Sequence, residues 1–101
     1  MFYVVIYPLI IGNPILLEVK NMGIHEFTVN RIYELCKERK ITPNALSYMA
    51  GIPQATVKSI LNGESKNPGI VTLKKICDGL DITMVEFFDT PEYHALEQEI
   101  K

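Results

Sequence analysis

The sequence has only two cysteines and two histidines, and they are not spaced as metal ligands. It contains no Cys-x-x-Cys pair, and neither His25 nor His94 lies at a ligand spacing from Cys36 or Cys77. Both cysteines lie among apolar residues, which predicts buried structural thiols and fits a reducing, cytoplasmic compartment. We therefore expect neither a metal nor any other cofactor.

The groupings that catalysis requires are missing as well. Ser47 and Ser59 have no histidine and acid partners within reach, and no glycine-rich phosphate loop follows a strand. We expect that the protein is not an enzyme, and no site for a small-molecule ligand is evident.

A long uninterrupted apolar run is also absent. The apolar N-terminal stretch is broken by Pro8 and by Gly12-Asn13-Pro14, and no basic segment precedes it. These features exclude a typical secretory signal and a membrane span, so no membrane association is expected.

Residues 1–21 allow two interpretations. The runs Phe2–Ile11 and Ile15–Val19, on either side of a turn, predict a β-hairpin that could take part in dimerisation. Alternatively, Leu17–Met22 can be encoded by a ribosome-binding site followed by a start codon. In that case Met22 is the natural start, and residues 1–21 are translated leader.

The net charge of −2 conceals a marked asymmetry. Residues 30–75 contain eight Lys or Arg and three Asp or Glu, whereas residues 76–101 contain seven acids and one Lys. Because phosphates respond to the local field, the basic middle segment is compatible with nucleic-acid binding despite the total. Ordinary solvated charge is the alternative.

The remainder of the chain is predicted to be all-α, with five short helices. Apolar spacing at Val29, Ile32, Leu35 and Cys36 predicts a first helix that ends near Arg39 and is capped by Thr28 or Asn30. Start and stop residues predict four more: Pro43–Ala50 between Thr42 and Gly51, Pro53–Leu61 before Asn62-Gly63, Ile70–Leu80, and Met84–Phe88 with a Thr83–Glu86 capping box.

An acidic tail follows these helices. Asp89-Thr90-Pro91-Glu92 is another helix-start signal, and Tyr93, Leu96 and Ile100 form a weak apolar stripe. We therefore divide the chain into an extension (1–21), a helical domain (22–89) and a tail (90–101) that could be helical.

The turn between the second and third helices carries the functional signal. Gly51-Ile52-Pro53 forms a three-residue connection, and Ala50 provides a small residue where the second helix closes against the third. This arrangement is typical of a helix-turn-helix.

The runs ALSYMAGIPQATVKSILNG and NPGIVTLKKICDGLDITMVEFF resemble the phage repressor and Cro-like, or Xre-type, helix-turn-helix family. The resemblance covers about residues 30–89 and implies a five-helix, lambda-repressor-like domain. Matches fall at core and turn positions throughout: Leu46, Gly51, Val57, Ile60, Gly63, Pro68, Leu73, Ile76, Leu80, Ile82 and Phe87.

The sequence departs from this family at three places. Pro43 replaces the Gln that usually reaches a phosphate, and Asn44 is the candidate substitute. Pro53 opens the third helix in place of a Ser or Thr cap. Cys36 and Leu61 together replace a buried Arg–Glu pair, a joint change that leaves no charge unpaired.

By the resemblance, helix 53–61 lies in the major groove of double-stranded DNA. The expected base-edge contacts are Gln54, Ala55 and Ser59. The expected phosphate contacts are Asn44, Thr56, Lys58, Asn62, Lys66 and Asn67.

These expectations describe a cytoplasmic, nucleoid-associated transcriptional regulator, a repressor that binds a palindromic operator as a homodimer. Phe88, Tyr93 and Leu96 are the apolar candidates for the dimer interface, whereas Phe87 is as well explained by the core. The alternative is an interaction module of the same fold, antitoxin-like or a repressor antagonist, with weak or no DNA binding.

Overall fold

A computed structural model describes residues 22–100 of the chain, and this part contains helices and no strand. Residues 1–21, for which a hairpin or a leader is predicted, lie outside the described residues. The helices are α1 (Ile24–Glu38), α2 (Pro43–Ala50), α3 (Gln54–Leu61), α4 (Ile70–Gly79), α5 (Met84–Phe88) and α6 (Pro91–His94). The prediction of an all-α fold is confirmed for the described residues.

Helix α1 begins earlier than the sequence predicts. The expectation that Thr28 or Asn30 caps it is wrong, because Gly23 is the N-cap and makes no side-chain cap bond. The Thr28 hydroxyl instead donates to the Ile24 carbonyl at 2.8 Å, inside the helix. The Ile24 N–H, at the first position of α1, donates to Glu99 Oε2 at 3.2 Å, so the acidic tail supplies the missing cap.

The predicted turn chemistry between α2 and α3 is present. Thr42 accepts a hydrogen bond from the Ala45 N–H at 3.0 Å, and Gly51 closes α2 with φ +67°, a conformation that favours glycine. The Ile52 N–H then donates to the Ser47 carbonyl at 3.0 Å. One boundary differs from the prediction, since Pro53 is the N-cap of α3, with ψ 144°, and Gln54 is its first residue.

Helices α4 and α5 follow closely the predicted pattern. Helix α4 ends at Gly79, and Leu80, predicted to be its last residue, is the C-cap. The Thr83–Glu86 capping box is confirmed, because each side chain accepts a backbone N–H of the other residue at 2.9 Å. The capping box fixes where α5 begins.

Helices α2 and α4 approach each other closely at two small residues. A Cβ added to Gly79 would lie 2.9 Å from the Ala50 nitrogen and 3.0 Å from its Cα. We expected Ala50 to serve the contact between α2 and α3, but the close backbone contact is with α4. This contact helps to fix α2, which precedes the predicted recognition helix.

One apolar core joins the helices and contains both cysteines. Cys77 is fully buried and Cys36 is 3% exposed, so the prediction of buried thiols is confirmed. Leu61 packs against the same core, so both apolar replacements of the family's ion pair belong to it. The fully buried apolar residues are Ile32, Leu46, Ile60, Ile76, Cys77, Leu80 and Phe87.

An aromatic cluster packs α5 and α6 onto α1. Phe27 stacks on Phe88 with ring centroids 6.0 Å apart and meets Tyr93 edge-on at 5.7 Å. Of tail residues 90–100, which the structure describes, only Pro91–His94 is helical. Of the predicted tail stripe, Leu96 packs on the core and Ile100 is 88% exposed, so the tail folds back without forming a long amphipathic helix.

Candidate nucleic-acid interface

A cleft of about 500 Å³ lies where α1, the start of α2 and α3 meet. Its floor includes the buried Val57, and its rim includes polar side chains from all three helices. The lining residues are Tyr33, Pro43, Asn44, Gln54, Ala55, Val57, Lys58, Leu61 and Asn62. None of these nine is acidic and Lys58 is the charged one, so the cleft is suited to an anion rather than a cation.

Three of the predicted contacts lie together on the exposed side of α3. Gln54, Ala55 and Lys58 are all exposed and line the cleft. They occupy the first, second and fifth positions of the helix, so they share one face over the first turn and a half. The side chains of Gln54 and Lys58 make no hydrogen bond or ion pair with another described residue.

Two further predicted contacts border this row. Asn44 is exposed in the first turn of α2 and lines the same cleft. Asn62 also lines it, but its amide nitrogen donates to Glu64 Oε1 at 2.9 Å, and its Oδ1 accepts the Glu64 N–H at 3.0 Å. Asn44 is therefore free to contact a ligand as it stands, whereas Asn62 must first leave Glu64.

The remaining predicted contacts do not line the cleft. Thr56 and Ser59 are half-buried on a different side of α3. Lys66 and Asn67 are exposed in the loop between α3 and α4. The structure thus separates the predicted set into a cleft group and an outer group.

Part of the basic charge counted in residues 30–75 is committed to the fold. Arg31 donates to the carbonyls of Phe87 at 2.7 Å and Glu86 at 3.0 Å, and it also pairs with Glu34. Arg39 donates to the Leu80 carbonyl at 3.1 Å. These contacts hold α1 against α4 and α5, so the local excess of positive charge overstates what a phosphate near α3 would meet.

Sequence reasoning missed Tyr33. This residue is 49% exposed on α1 and lines the cleft with Asn44 and Lys58. The sequence offers one signal, an aromatic residue on the polar side of an amphipathic helix. That this residue lines the cleft beside α3 is visible only once α1 is packed.

Two of the three candidate dimer residues, Phe88 and Tyr93, line a second, shallower cleft. It measures about 380 Å³ and is lined by Met84, Val85, Phe88, Asp89, Tyr93 and His94. Phe88 is half-buried and Tyr93 is 39% exposed, while Leu96 packs inward and does not line it. Phe87 is fully buried, which assigns it to the core.

Helices α2 and α3, the tight turn between them and the packing of α1, α4 and α5 define a helix-turn-helix DNA-binding domain. Residues 31–92 match the family described as the Cro/C1-type HTH DNA-binding domain, and the chain belongs to that family. The resemblance seen in the sequence is thereby confirmed.

A solved structure agrees with this assignment. The chain is similar to the prophage Lp1 protein 11, which is known from a crystal structure, with 37% sequence identity and a TM-score of 0.64. The match covers 71% of this chain and 96% of that one. No curated protein sequence matches the chain. Among residues 22–100, no helix has the length and apolarity needed to cross a bilayer.

Proposed function

We propose that the protein is a sequence-specific transcriptional repressor that binds a palindromic DNA operator as a homodimer. The observation that carries the proposal is the row of Gln54, Ala55 and Lys58, exposed on α3, which lines the same cleft as Asn44. No described residue of that lining is acidic. The family membership supports DNA binding, and the row supplies the groups for base and phosphate recognition.

In this proposal Gln54 is the principal base reader. Its carboxamide matches the N6 donor and N7 acceptor of adenine, and its place in the first turn of α3 suits the docking of a recognition helix. Ala55 contacts a thymine methyl, and Ser59 contacts a base edge further along the helix. The proposed contacts to the phosphates of the DNA backbone are made by Lys58, Asn44, Thr56, Asn62, Lys66 and Asn67.

The dimer is proposed to form around Phe88 and Tyr93, with the cleft of α5 and α6 at its centre, whereas Leu96 packs on the core. Two recognition helices must lie about 34 Å apart to enter successive major grooves on one face of DNA. The exposed Val85, at 75%, adds apolar surface beside Phe88 and Tyr93. Light scattering with Val85→Asp tests this interface. We expect the variant to shift from dimer to monomer.

Selection of bound sequences from random duplex DNA tests the base-reading claim. We expect the full chain to enrich a two-fold symmetric site and Gln54→Ala to lose preference at one position of each half-site. The loss should amount to about 1–3 kcal/mol. Gln98→Ala is the matched control, since Gln98 is an exposed glutamine of the tail. If Gln54→Ala selects the same site as the wild type, Gln54 is not the base reader.

A further inference from the structure

The cleft beside the recognition helix has an apolar floor and a rim of uncommitted polar groups. Val57 is 2% exposed at the floor, and Leu61 is half-buried beside it. Tyr33, Asn44 and Lys58 are exposed and line the same cleft. Among the described residues, no side-chain partner is recorded for the Tyr33 hydroxyl, the Asn44 amide or the Lys58 ammonium group.

This combination has the chemistry of a sugar-phosphate site. A deoxyribose offers an apolar face to the half-buried Leu61, and a phosphodiester offers anionic oxygens to a hydroxyl, an amide and an ammonium group. No described lining residue is acidic, although the Glu64 carboxylate is bonded to the lining residue Asn62. A cation would find no carboxylate among the described lining residues to bind it.

The substitution at Pro43 bears on the same place. Proline at the first position of α2 carries neither a side-chain donor nor a backbone N–H, so this position cannot donate to a phosphate. Tyr33 lines the cleft beside Pro43 and supplies a donor from a different helix.

We propose that Tyr33 of α1 donates a hydrogen bond to a DNA phosphate held in this cleft, together with Asn44 and Lys58. The interface then comprises three helices, and α1 positions the recognition helix on the backbone. This inference rests on the proposed DNA-binding function and adds to it a residue that contacts phosphate but reads no base.

The phosphate contact of Tyr33 differs from that of Lys58 in its salt dependence. Lys58 displaces a counterion when it neutralises a phosphate, so Lys58→Gln should reduce the slope of log K against log salt by about 1. The tyrosine hydroxyl is neutral and displaces none. Tyr33→Phe should therefore weaken binding without changing this slope.

Fluorescence anisotropy with a selected duplex and a random duplex tests the proposal in the full-length protein. We expect Tyr33→Phe to lower the affinity for both duplexes by a similar factor, roughly three- to tenfold, with unchanged preference between them. Tyr48→Phe is the matched control, because Tyr48 is 76% exposed on α2 and does not line the cleft. It should bind as the wild type does.

The outcomes distinguish this inference from the proposed function. If the wild type binds DNA and Tyr33→Phe binds equally well, Tyr33 is not a contact, and the proposed function stands. If the wild type binds neither duplex even at low salt, both fail. Circular dichroism and urea unfolding of Tyr33→Phe should match the wild type, since the hydroxyl has no described partner in the fold.

Discussion

The Arg31 guanidinium donates to the Phe87 carbonyl oxygen at 2.7 Å, across 56 positions of sequence, and so ties α1 to the end of α5. A second bond to the Glu86 carbonyl at 3.0 Å completes a C-terminal cap for the short helix. The side chain is 13% exposed. Arg31 is thus a structural residue, although it belongs to the basic segment of residues 30–75.

Arg31→Met should destabilise the fold without affecting DNA contacts. The change retains much of the apolar stem but leaves two carbonyls without their charged donor, which costs about 1.5–3 kcal/mol. Urea unfolding measures the loss. Lys75→Met is the control, since Lys75 is exposed and has no described partner. If the folded fraction of Arg31→Met lost as much DNA affinity as Lys58→Gln does, this assignment would be contradicted.

Gly79→Ala should destabilise the contact between α2 and α4. The added Cβ would lie 2.9 Å from the Ala50 backbone nitrogen, so one helix must move. We expect a net loss of about 1–3 kcal/mol, despite the better helix propensity of alanine. Gly69→Ala adds a Cβ with nothing within 4 Å, and so measures the loss of the N-cap glycine of α4 without a clash. An unfolding midpoint of Gly79→Ala equal to that of the wild type would show that the helices adjust freely.

Glu86 should contribute to the loss of stability in acid. A hydrogen bond from the Thr83 backbone N–H, then one from its side chain, lowers the pKa of Glu86 from its usual 4.5. Because the folded-state pKa is lowered, the contribution is complete above about pH 4.5 and is lost as the pH falls through the lowered value. Urea unfolding should show a smaller loss of stability on acidification in Glu86→Gln than in the wild type. An acid profile of Glu86→Gln identical to that of the wild type would contradict this contribution.

The two thiols should be protected from reagents until the protein unfolds. Burial raises the pKa of Cys36 and of Cys77 above 9.0, and the thiolate is the reactive form. With a thiol-specific reagent at pH 8, native protein should react no faster than it unfolds, whereas protein in urea should react rapidly at both positions. Fast native reaction at either cysteine would mean that the core opens there locally.

Local chemistry accounts for what the sequence predicts correctly. Thr42, Gly51 and the Thr83–Glu86 box act on neighbouring residues, so their signals identify helix ends directly. The start of α1 escapes prediction because Gly23 lacks a capping side chain and Glu99, 75 residues away, provides the bond. Such contacts have no local signal.

The candidate site shows the same limit. The position of Gln54 early in the third helix follows from the turn, but the commitment of Arg31 and Arg39 to distant carbonyls does not. Nor does the location of Tyr33, which depends on how α1 packs beside α2 and α3. Sequence patterns thus locate the recognition helix, and packing decides which neighbours share its face.

The central claim is that α3 and its neighbours bind DNA, and the salt dependence of binding to a short duplex tests it most directly. Anisotropy titrations of the full-length protein across a range of salt concentrations should show affinity falling linearly in log–log form. Lys58 and Lys66 alone predict a slope of about −1.8 per protomer. Lys58→Gln should make that slope shallower by about 1. Absence of binding at the lowest salt, or affinity independent of salt, would contradict the account.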